Sequence, residues 1–243
     1  SDVNYYIDNL YKQIKSTLNY QISDNDKTYQ LMLNRNIVPL DVRAGGGLEV
    51  TQREENIGID PTSINKTVWY FNYRYYELWT SYLFYDKSKK HRVKRNDTYL
   101  IPGIAASKKD YLYRPFVSID SNNRFGNYTQ LLGNFAVVQQ NYYRTNYLTS
   151  FGKAEYIPYG FQATITGGYT WSEFMNKPYF GFGLALTKYF NDVGYFFGDI
   201  EFGSHYSTRL EQGAIKFNVS FLSSIFKKDR YRYRFLANLN FTN

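Results

Sequence analysis

The stretch YFGFGLALTKY at residues 179–189 decides the fold class, because large and small side chains alternate along it. A repeat of two is the spacing of a β-strand, whose successive side chains point to opposite faces. Its length is close to the roughly ten residues with which a tilted strand crosses a membrane. The large apolar positions and the small positions between them are Phe180, Phe182, Leu184 and Leu186 against Gly181, Gly183, Ala185 and Thr187.

The neighbouring segments have the same period. GFQATITGGYTW (160–171), GYFFGDIEFGSHY (194–206) and GAIKFNVSF (213–221) each alternate apolar with polar or small residues. Near the C-terminus, RYRYRFLANLNF (230–241) predicts a single strand, with aromatic and aliphatic residues on one face and arginines and asparagines on the other. Turn signals separate these segments, which favours antiparallel pairing through hairpins. They are NKP (176–178), FNDVG (190–194) and FKKDR (226–230).

The first half of the chain continues the pattern after a different N-terminal segment. In residues 1–22, apolar residues recur at helical spacing, which predicts an amphipathic helix, with a β-segment as the alternative. We expect two parts: an N-terminal segment over 1–26 and a β-barrel over 27–243. The whole sequence predicts about eleven to thirteen antiparallel strands. The first strands are expected in TYQLMLN (28–34), GGGLEVTQR (45–53), KTVWYFNYRYYELWTSYLFYD (66–86) and DTYLIPGIAAS (97–107).

Composition favours a transmembrane β-barrel over a soluble β-protein. Aromatic residues make up 20% of the chain, with 27 Tyr and 19 Phe, yet the chain is polar on average. Barrels combine these properties because each strand presents one face to lipid and one to water. No run approaches the roughly 18 apolar residues of a membrane helix. A soluble sandwich or a lipocalin-like barrel is the alternative, because such proteins also alternate.

The positions of aromatic and charged residues extend the barrel interpretation. Tyr and Trp cluster near predicted strand ends, as in the aromatic girdles at membrane–water interfaces. The polar faces are mostly Thr, Asn, Gln, Gly and Ser, which suits a wet barrel interior. The candidate interfacial aromatics are Tyr142, Tyr143, Tyr159, Trp171, Tyr179 and Tyr195. The candidate lumen-facing charges are Asp199, Glu201, Lys216, Arg230, Arg232 and Arg234.

The net charge of +8 is concentrated in KSKKHRVKR, residues 87–95. This segment is interpreted as a solvated loop or, alternatively, as a contact with anionic lipid or polysaccharide. A nucleic-acid platform needs basic and aromatic residues on the same surface, whereas the alternation in 230–241 separates them, so no nucleic-acid partner is predicted. The basic residues of the candidate contact are Lys87, Lys89, Lys90, Arg92, Lys94 and Arg95.

The sequence predicts no enzyme and no cofactor. There is no Cys, which excludes disulfides and thiol catalysis. The two His residues, His91 and His205, lie far apart, and no neighbouring acid has metal-ligand spacing. Asp199 and Glu201 share one predicted strand face, so they are either paired carboxylates or lumen charges balanced by nearby cations. No G-x-S-x-G nucleophile motif is present.

The segment SFGKAEYIPYGFQATITGGYTW (150–171) resembles a group of outer-membrane proteins from Bacteroidota that is classed with the bacterial surface-antigen superfamily, which includes BamA and TamA. YELWTSYLF (76–84) and the segments 176–186, 193–204 and 210–221 follow the order expected for that group. The resemblance covers roughly residues 66–243. The residues that match the group's strand–turn–strand motif are Phe151, Gly152, Lys153, Glu155, Ile157, Pro158 and Gly160.

The resemblance implies an integral barrel in the outer membrane of a Gram-negative bacterium. It implies a role in inserting or translocating polypeptides there, or as a subunit of a larger outer-membrane assembly. The expected partners are outer-membrane lipid or lipopolysaccharide and other outer-membrane or periplasmic proteins. A passive pore for solutes and a soluble barrel that binds an anionic polymer are the alternatives. No signal peptide is visible, and we expect this chain to form only part of the barrel.

Overall fold

The computed structural model describes residues 2–11, 13–23, 26–37, 42–58, 68–84, 98–118, 125–146, 154–190, 193–207 and 209–243. The predicted class is confirmed: the described chain is all-β and its strands pair antiparallel. None of the described residues forms a helix long and apolar enough to cross a membrane. The basic segment 87–95 and the motif residues Phe151, Gly152 and Lys153 lie outside the described residues.

The described part of the chain forms fourteen strands. Twelve of them form one sheet, in the order β1-β2-β3-β4-β5-β6-β7-β8-β9-β10-β11-β14, and β12 and β13 form a separate two-stranded sheet. The strands are β1 Asp2–Tyr11, β2 Ile14–Ile22, β3 Asp26–Arg35, β4 Ala44–Gly58, β5 Val68–Tyr82, β6 Thr98–Tyr113, β7 Tyr128–Asn146, β8 Ala154–Ser172, β9 Lys177–Phe190, β10 Gly194–Tyr206, β11 Leu210–Ser223, β12 Phe226–Lys228, β13 Tyr231–Tyr233 and β14 Leu236–Thr242.

Consecutive strands are neighbours in the sheet order up to β11, so each pairing is made by a local connection. The chain divides into two compact units. The first unit comprises Ser1–Leu83, Gly103–Gly133 and Gly168–Pro178, and the second comprises Phe84–Pro102, Asn134–Gly167 and Tyr179–Asn243.

The prediction of an N-terminal amphipathic helix is wrong. Residues 2–11 and 14–22 are strands β1 and β2, which pair with Tyr5 opposite Leu18. β2 also pairs with β3 from Lys15 to Ile22. The Tyr, Ile and Thr residues of this segment favour strands, and pairing with β1 on one side and β3 on the other supplies ladder hydrogen bonds along β2. Tertiary pairing therefore overrides the helical spacing.

The single strand predicted over 230–241 is also wrong. Tyr231–Tyr233 pairs with β12 in a short hairpin, and only Leu236–Thr242 joins the large sheet beside β11. The break falls where Ser223 bonds to Phe235: the Phe235 amide donates to Ser223 Oγ at 2.8 Å, and the Ser223 amide donates to the Phe235 carbonyl at 2.9 Å. In β14 itself the alternation is as predicted, with Leu239 opposite Val219 and Asn240 opposite Asn218.

Gly160 in β8 permits a close approach between β8 and β7. Its φ is +146°, and an added Cβ would lie 1.9 Å from the Gln139 carbonyl oxygen. The Gln139 oxygen belongs to the backbone and a Cβ is fixed by its own Cα, so neither atom can rotate away. Only glycine fits this position, which lies two residues after Pro158 in the motif quoted above.

Replacing Gly160 with Ala is therefore expected to lower the free energy of unfolding by about 1–3 kcal/mol, because the strained φ and the Cβ clash both act on the backbone. The measurement is urea unfolding of the refolded protein in detergent, followed by tryptophan fluorescence.

Gly167→Ala is the control in the same strand, because an added Cβ at Gly167 meets nothing within 4 Å. Its effect should stay within about 0.5 kcal/mol. Equal losses for the two variants would contradict the close approach at Gly160.

Candidate functional surfaces of the sheet

The large apolar side chains of β9 lie on the exposed face of the second unit. Phe180 is 53% exposed and Leu186 is 46% exposed, whereas Gly181 is buried and Ala185 is half-buried. A soluble sheet normally buries its large apolar residues and exposes the polar ones. From Phe180 to Leu186 this exposed face extends about 20 Å along the strand.

Neighbouring strands continue the same face in register. Phe182 lies opposite Phe202, and Leu184 lies opposite Ile200. Ile200 in turn lies opposite Phe217 of β11, and Phe217 lies opposite Phe241 of β14. Cross-strand partners share a face. We call this set the apolar face of the second unit: Phe180, Phe182, Leu184, Leu186, Ile200, Phe202, Ile215, Phe217, Val219, Leu239 and Phe241.

The opposite face of the second unit is polar. Asn218 Nδ2 donates to both Asp199 oxygens, at 3.0 Å and 2.8 Å. Lys216 Nζ lies 3.7 Å from Glu201 Oε2. Asp199 and Glu201 thus each have a partner on β11, as expected for balanced charges on a wet surface. Beside them a groove is lined by Gln162, Thr164, Thr166, Tyr179, Gly181, Gly183 and Ala185.

The first unit repeats the arrangement. Leu48 lies opposite Leu33 of β3 and Leu78 of β5, and Leu78 is 61% exposed. The residues one position along, on the other face, are mostly polar or charged, with Met32 and Trp79 among them. We call these sets the apolar face of the first unit, with Leu31, Leu33, Leu48, Val50, Tyr76 and Leu78, and the polar face of the first unit, with Asp26, Thr28, Gln30, Glu49, Thr51, Arg53, Glu55, Tyr75, Glu77 and Lys109.

Arg53 organises one end of the polar face of the first unit. Its Nη2 lies 2.6 Å from Asp26 Oδ2 and 3.3 Å from Glu55 Oε2. Its Nε donates to Asp26 Oδ1 at 3.2 Å, and Thr28 Oγ1 donates to the same oxygen at 3.1 Å. One guanidinium thus neutralises two carboxylates, with the fork geometry that suits arginine better than lysine.

The remaining carboxylates of this face are also hydrogen-bonded. Gln30 Nε2 and Thr51 Oγ1 each donate to Glu49 Oε1 at 2.8 Å. The Tyr75 hydroxyl donates to Glu77. Lys109 Nζ lies 3.8 Å from the centroid of the Tyr73 ring. Such a surface is polar yet ordered, because each of these acceptors is satisfied by a neighbouring strand or residue.

Sequence reasoning missed a cluster formed by Arg114, Asn127 and Glu173 in the first unit. Arg114 Nη2 lies 2.7 Å from Glu173 Oε2, and Asn127 Nδ2 donates to Glu173 Oε1 at 2.8 Å. Arg114 Nη1 also donates to the Phe125 carbonyl at 2.6 Å, and the Phe125 ring lies 4.6 Å from that of buried Phe71. The cluster ties two strand connections together. No local sequence signal could have revealed it, since 59 positions separate Arg114 from Glu173.

The candidate interfacial aromatics lie at strand ends but on both faces. Tyr142 and Trp171 are 59% and 44% exposed. Tyr143 stacks on Tyr189, with ring centroids 4.0 Å apart. The Tyr195 hydroxyl donates to the Pro158 carbonyl at 3.0 Å. Tyr179 packs edge-on against His205, with centroids 5.3 Å apart.

Register assigns these aromatics to faces and ends. Tyr179 and Tyr195 are on the side of Gly183 and Asp199, which is the polar face. Tyr142, Tyr143, Tyr159 and Tyr195 gather at the end of the second unit where β7 and β9 finish and β8 and β10 begin. Their contact with a membrane interface stays a prediction.

The candidate lumen charges divide into two groups. Asp199, Glu201 and Lys216 share the polar face of the second unit. Arg230 and Arg232 belong to the β12–β13 hairpin, and Arg234 follows it, so the register of the large sheet does not extend to these three residues. The hairpin interrupts the strand that would have carried them. The basic candidates Lys87, Lys89, Lys90, Arg92, Lys94 and Arg95 are not among the described residues.

No protein-family model, curated protein or solved structure matches the chain. The class of protein is therefore defined by the fold and its surfaces: an all-β antiparallel sheet with large apolar side chains on an exposed face and ordered polar side chains on the other. The resemblance to the surface-antigen superfamily stays a prediction.

Replacing Arg53 with Met is expected to lower the free energy of unfolding by about 1–2 kcal/mol, because Asp26 and Glu55 would lose the charge that they share. The measurement is urea unfolding in detergent, at low and at high salt, followed by tryptophan fluorescence. High salt should reduce the difference from the unmodified protein, since added ions screen the two carboxylates.

Lys27→Met provides the matched control. Lys27 Nζ lies 3.3 Å from a single carboxylate, that of Glu54, and its side chain is 50% exposed, so the expected cost stays below about 1 kcal/mol. A larger loss for Lys27→Met than for Arg53→Met would overturn the organising role of Arg53.

Proposed function

We propose that this protein is an integral outer-membrane β-barrel protein whose apolar faces contact lipid and whose polar faces line a wet interior. The observation that carries the proposal is the exposed apolar face of the second unit, from Phe180 at 53% exposure to Leu186 at 46%. The cost of leaving such a surface in water is roughly 25 cal/mol per Å² of apolar area. Lipid removes that cost, and a membrane strand needs this arrangement.

The dimensions of the apolar faces support the proposal. On β9 the exposed apolar residues span about 20 Å along the strand, and those of β5 from Tyr76 to Tyr82 span a similar length. Known outer-membrane barrels have an apolar band about 25 Å tall and strands tilted by about 40°, so a stretch of this length rises about 15 Å and covers the middle of such a band. Charged residues lie at the ends of these stretches on the same face, with Arg74 before Tyr76 in β5, Lys108 of β6 opposite Tyr76, and Lys188 after Leu186 in β9.

The polar faces support an interior role for the opposite side. Carboxylates on that side are held by Arg53, Gln30, Thr51, Asn218 and Lys216. Charged groups in contact with lipid at the bilayer centre are costly, whereas a water-filled lumen accepts them. We propose no enzymatic activity for these faces.

Within this class, we propose a role in the insertion or translocation of outer-membrane polypeptides, or as a subunit of a larger outer-membrane assembly. This part of the proposal is supported by the motif order in 66–243 that resembles the surface-antigen superfamily. Gly160, which ends that motif, occupies a position that only glycine fits. The expected partners are outer-membrane lipid and other outer-membrane or periplasmic proteins.

Tryptophan quenching by brominated lipids tests the membrane assignment. The chain has three Trp residues, and Trp171 is exposed on the apolar side of β8 while Trp79 packs across Gly47 on the polar face of the first unit. In vesicles with acyl-brominated phosphatidylcholine, a variant that keeps only Trp171 should be strongly quenched.

A variant that keeps only Trp79 is the matched control, and its quenching should be weak because the sheet separates it from lipid. Equal quenching of the two variants would contradict the assignment of faces. Absence of quenching in both, together with full recovery in detergent-free buffer, would support the soluble alternative.

Depletion separates the finer role from a passive pore. In the source cells, loss of the protein should lower the folded amounts of other outer-membrane proteins if it takes part in their assembly. Unchanged amounts, combined with steady single-channel conductance of the purified protein in planar bilayers, would favour the pore instead.

A further inference from the structure

The β12–β13 hairpin has one exposed aromatic face. Its pairs are Phe226 with Tyr233 and Lys228 with Tyr231, and cross-strand partners share a face. Phe226, Tyr231 and Tyr233 are 57%, 67% and 51% exposed. A hairpin of three residues per strand has no core of its own, so these rings contribute little to folding while they remain in water.

The hairpin is also strongly basic. The segment FKKDRYRYRF, residues 226–235, contains five Lys or Arg residues and one acid, Asp229. Lys228, Arg230 and Arg232 are all exposed. Arg232 occupies the face opposite the aromatic one, and Arg230 lies in the turn. The hairpin therefore presents exposed aromatic rings and cations close together.

The hairpin lies directly beyond the edge of the apolar face of the second unit. The β11–β14 ladder ends with Leu222 opposite Leu236. The Ser224 amide then donates to the Val193 carbonyl at 2.9 Å, which brings the base of the hairpin to the β9–β10 turn. There Val193 is 56% exposed, and Lys188 Nζ lies 4.9 Å from the centroid of the Phe190 ring.

We propose that the β12–β13 hairpin and the adjoining β9–β10 turn form a docking surface for the phosphate groups of anionic membrane lipids. The proposal rests on the proposed function, since it requires the apolar face of the second unit to lie in lipid. Aromatic rings at the edge of an apolar band favour the headgroup region of a bilayer. Lys and Arg side chains at that depth attract anionic headgroups.

Continuity with the apolar face favours lipid over a soluble anionic partner. The exposed Phe190, Val193 and Phe226 connect the apolar face to the basic side chains of the hairpin. A lipid molecule has acyl chains that contact these apolar side chains and a phosphate that contacts the basic ones. A soluble anionic polymer would contact the cations and leave these apolar side chains in water.

A fluorescent label on the hairpin tests this surface directly. The chain has no Cys, so Tyr231→Cys gives one attachment site, with the label in place of an exposed ring. The full-length labelled protein is reconstituted in phosphatidylcholine vesicles with a trace of headgroup-spin-labelled phosphatidylglycerol or of headgroup-spin-labelled phosphatidylcholine. The ratio of quenching by the two probes measures the preference for anionic lipid.

The ratio should exceed one and should fall at high salt, because ions screen the attraction. Each cation near an anionic surface is worth roughly a fivefold change in affinity. Combined replacement of Lys228, Arg230 and Arg232 by Ser should therefore return the ratio close to one. Arg209→Ser is the control, since this exposed cation precedes β11 and the hairpin follows the opposite end of that strand, and it should leave the ratio unchanged.

Quenching of Trp171 by acyl-brominated lipid, measured without the label in hairpin variants that keep only Trp171, separates failure of this proposal from failure of the proposed function. If Trp171 is quenched but the label on the otherwise unmodified hairpin gives a quenching ratio of one, the lipid-docking surface alone is overturned. Loss of Trp171 quenching as well would overturn the membrane assignment on which it rests. Lys228→Arg with Arg230→Lys retains both charges, so a lowered ratio in this conservative pair would also count against a phosphate contact.

Discussion

Antiparallel backbone register is the constraint on which the surfaces of this protein depend. Side chains alternate with a period of two, so a shift of one residue between β9 and β10 would exchange Leu184 with Ala185 opposite Ile200. The apolar face would then be mixed with carboxylates. Register is strongly specified here because the two faces differ in chemistry along several consecutive strands, as in the β9–β10 and β10–β11 pairs.

The polar faces show how the sheet accommodates charge without a compact hydrophobic core. Phe71 and Leu83 are among the few large apolar side chains that are fully buried in the described part of the chain. The carboxylates of Asp26, Glu49 and Asp199 are each held by side chains of the next strand. Polar cross-strand pairs thus occupy positions that hydrophobic packing fills in a soluble sheet, and they fix side chains that would otherwise be mobile.

The fold class could be predicted from the sequence because alternation is a local property, legible in YFGFGLALTKY without knowledge of partners. The same reasoning was wrong for residues 2–22, where apolar spacing suited a helix but pairing with β3 decided the outcome. It was wrong for 230–235, since alternation continues through a break made by Ser223 and Phe235. The Arg114–Glu173 contact depends on two distant connections meeting, which no local pattern encodes.

The length of β4 and β5 has a consequence for what surrounds the ends of these strands. Both strands remain paired beyond the apolar face of the first unit, up to Gly58 opposite Val68, and their outward residues there include Glu54 and Arg74. From Gln52 to Gly58 this extension is about 20 Å long. If the apolar face of the first unit lies in lipid, as proposed, this paired extension lies beyond the apolar stretch, and Glu54 and Arg74 face headgroups or water instead of acyl chains.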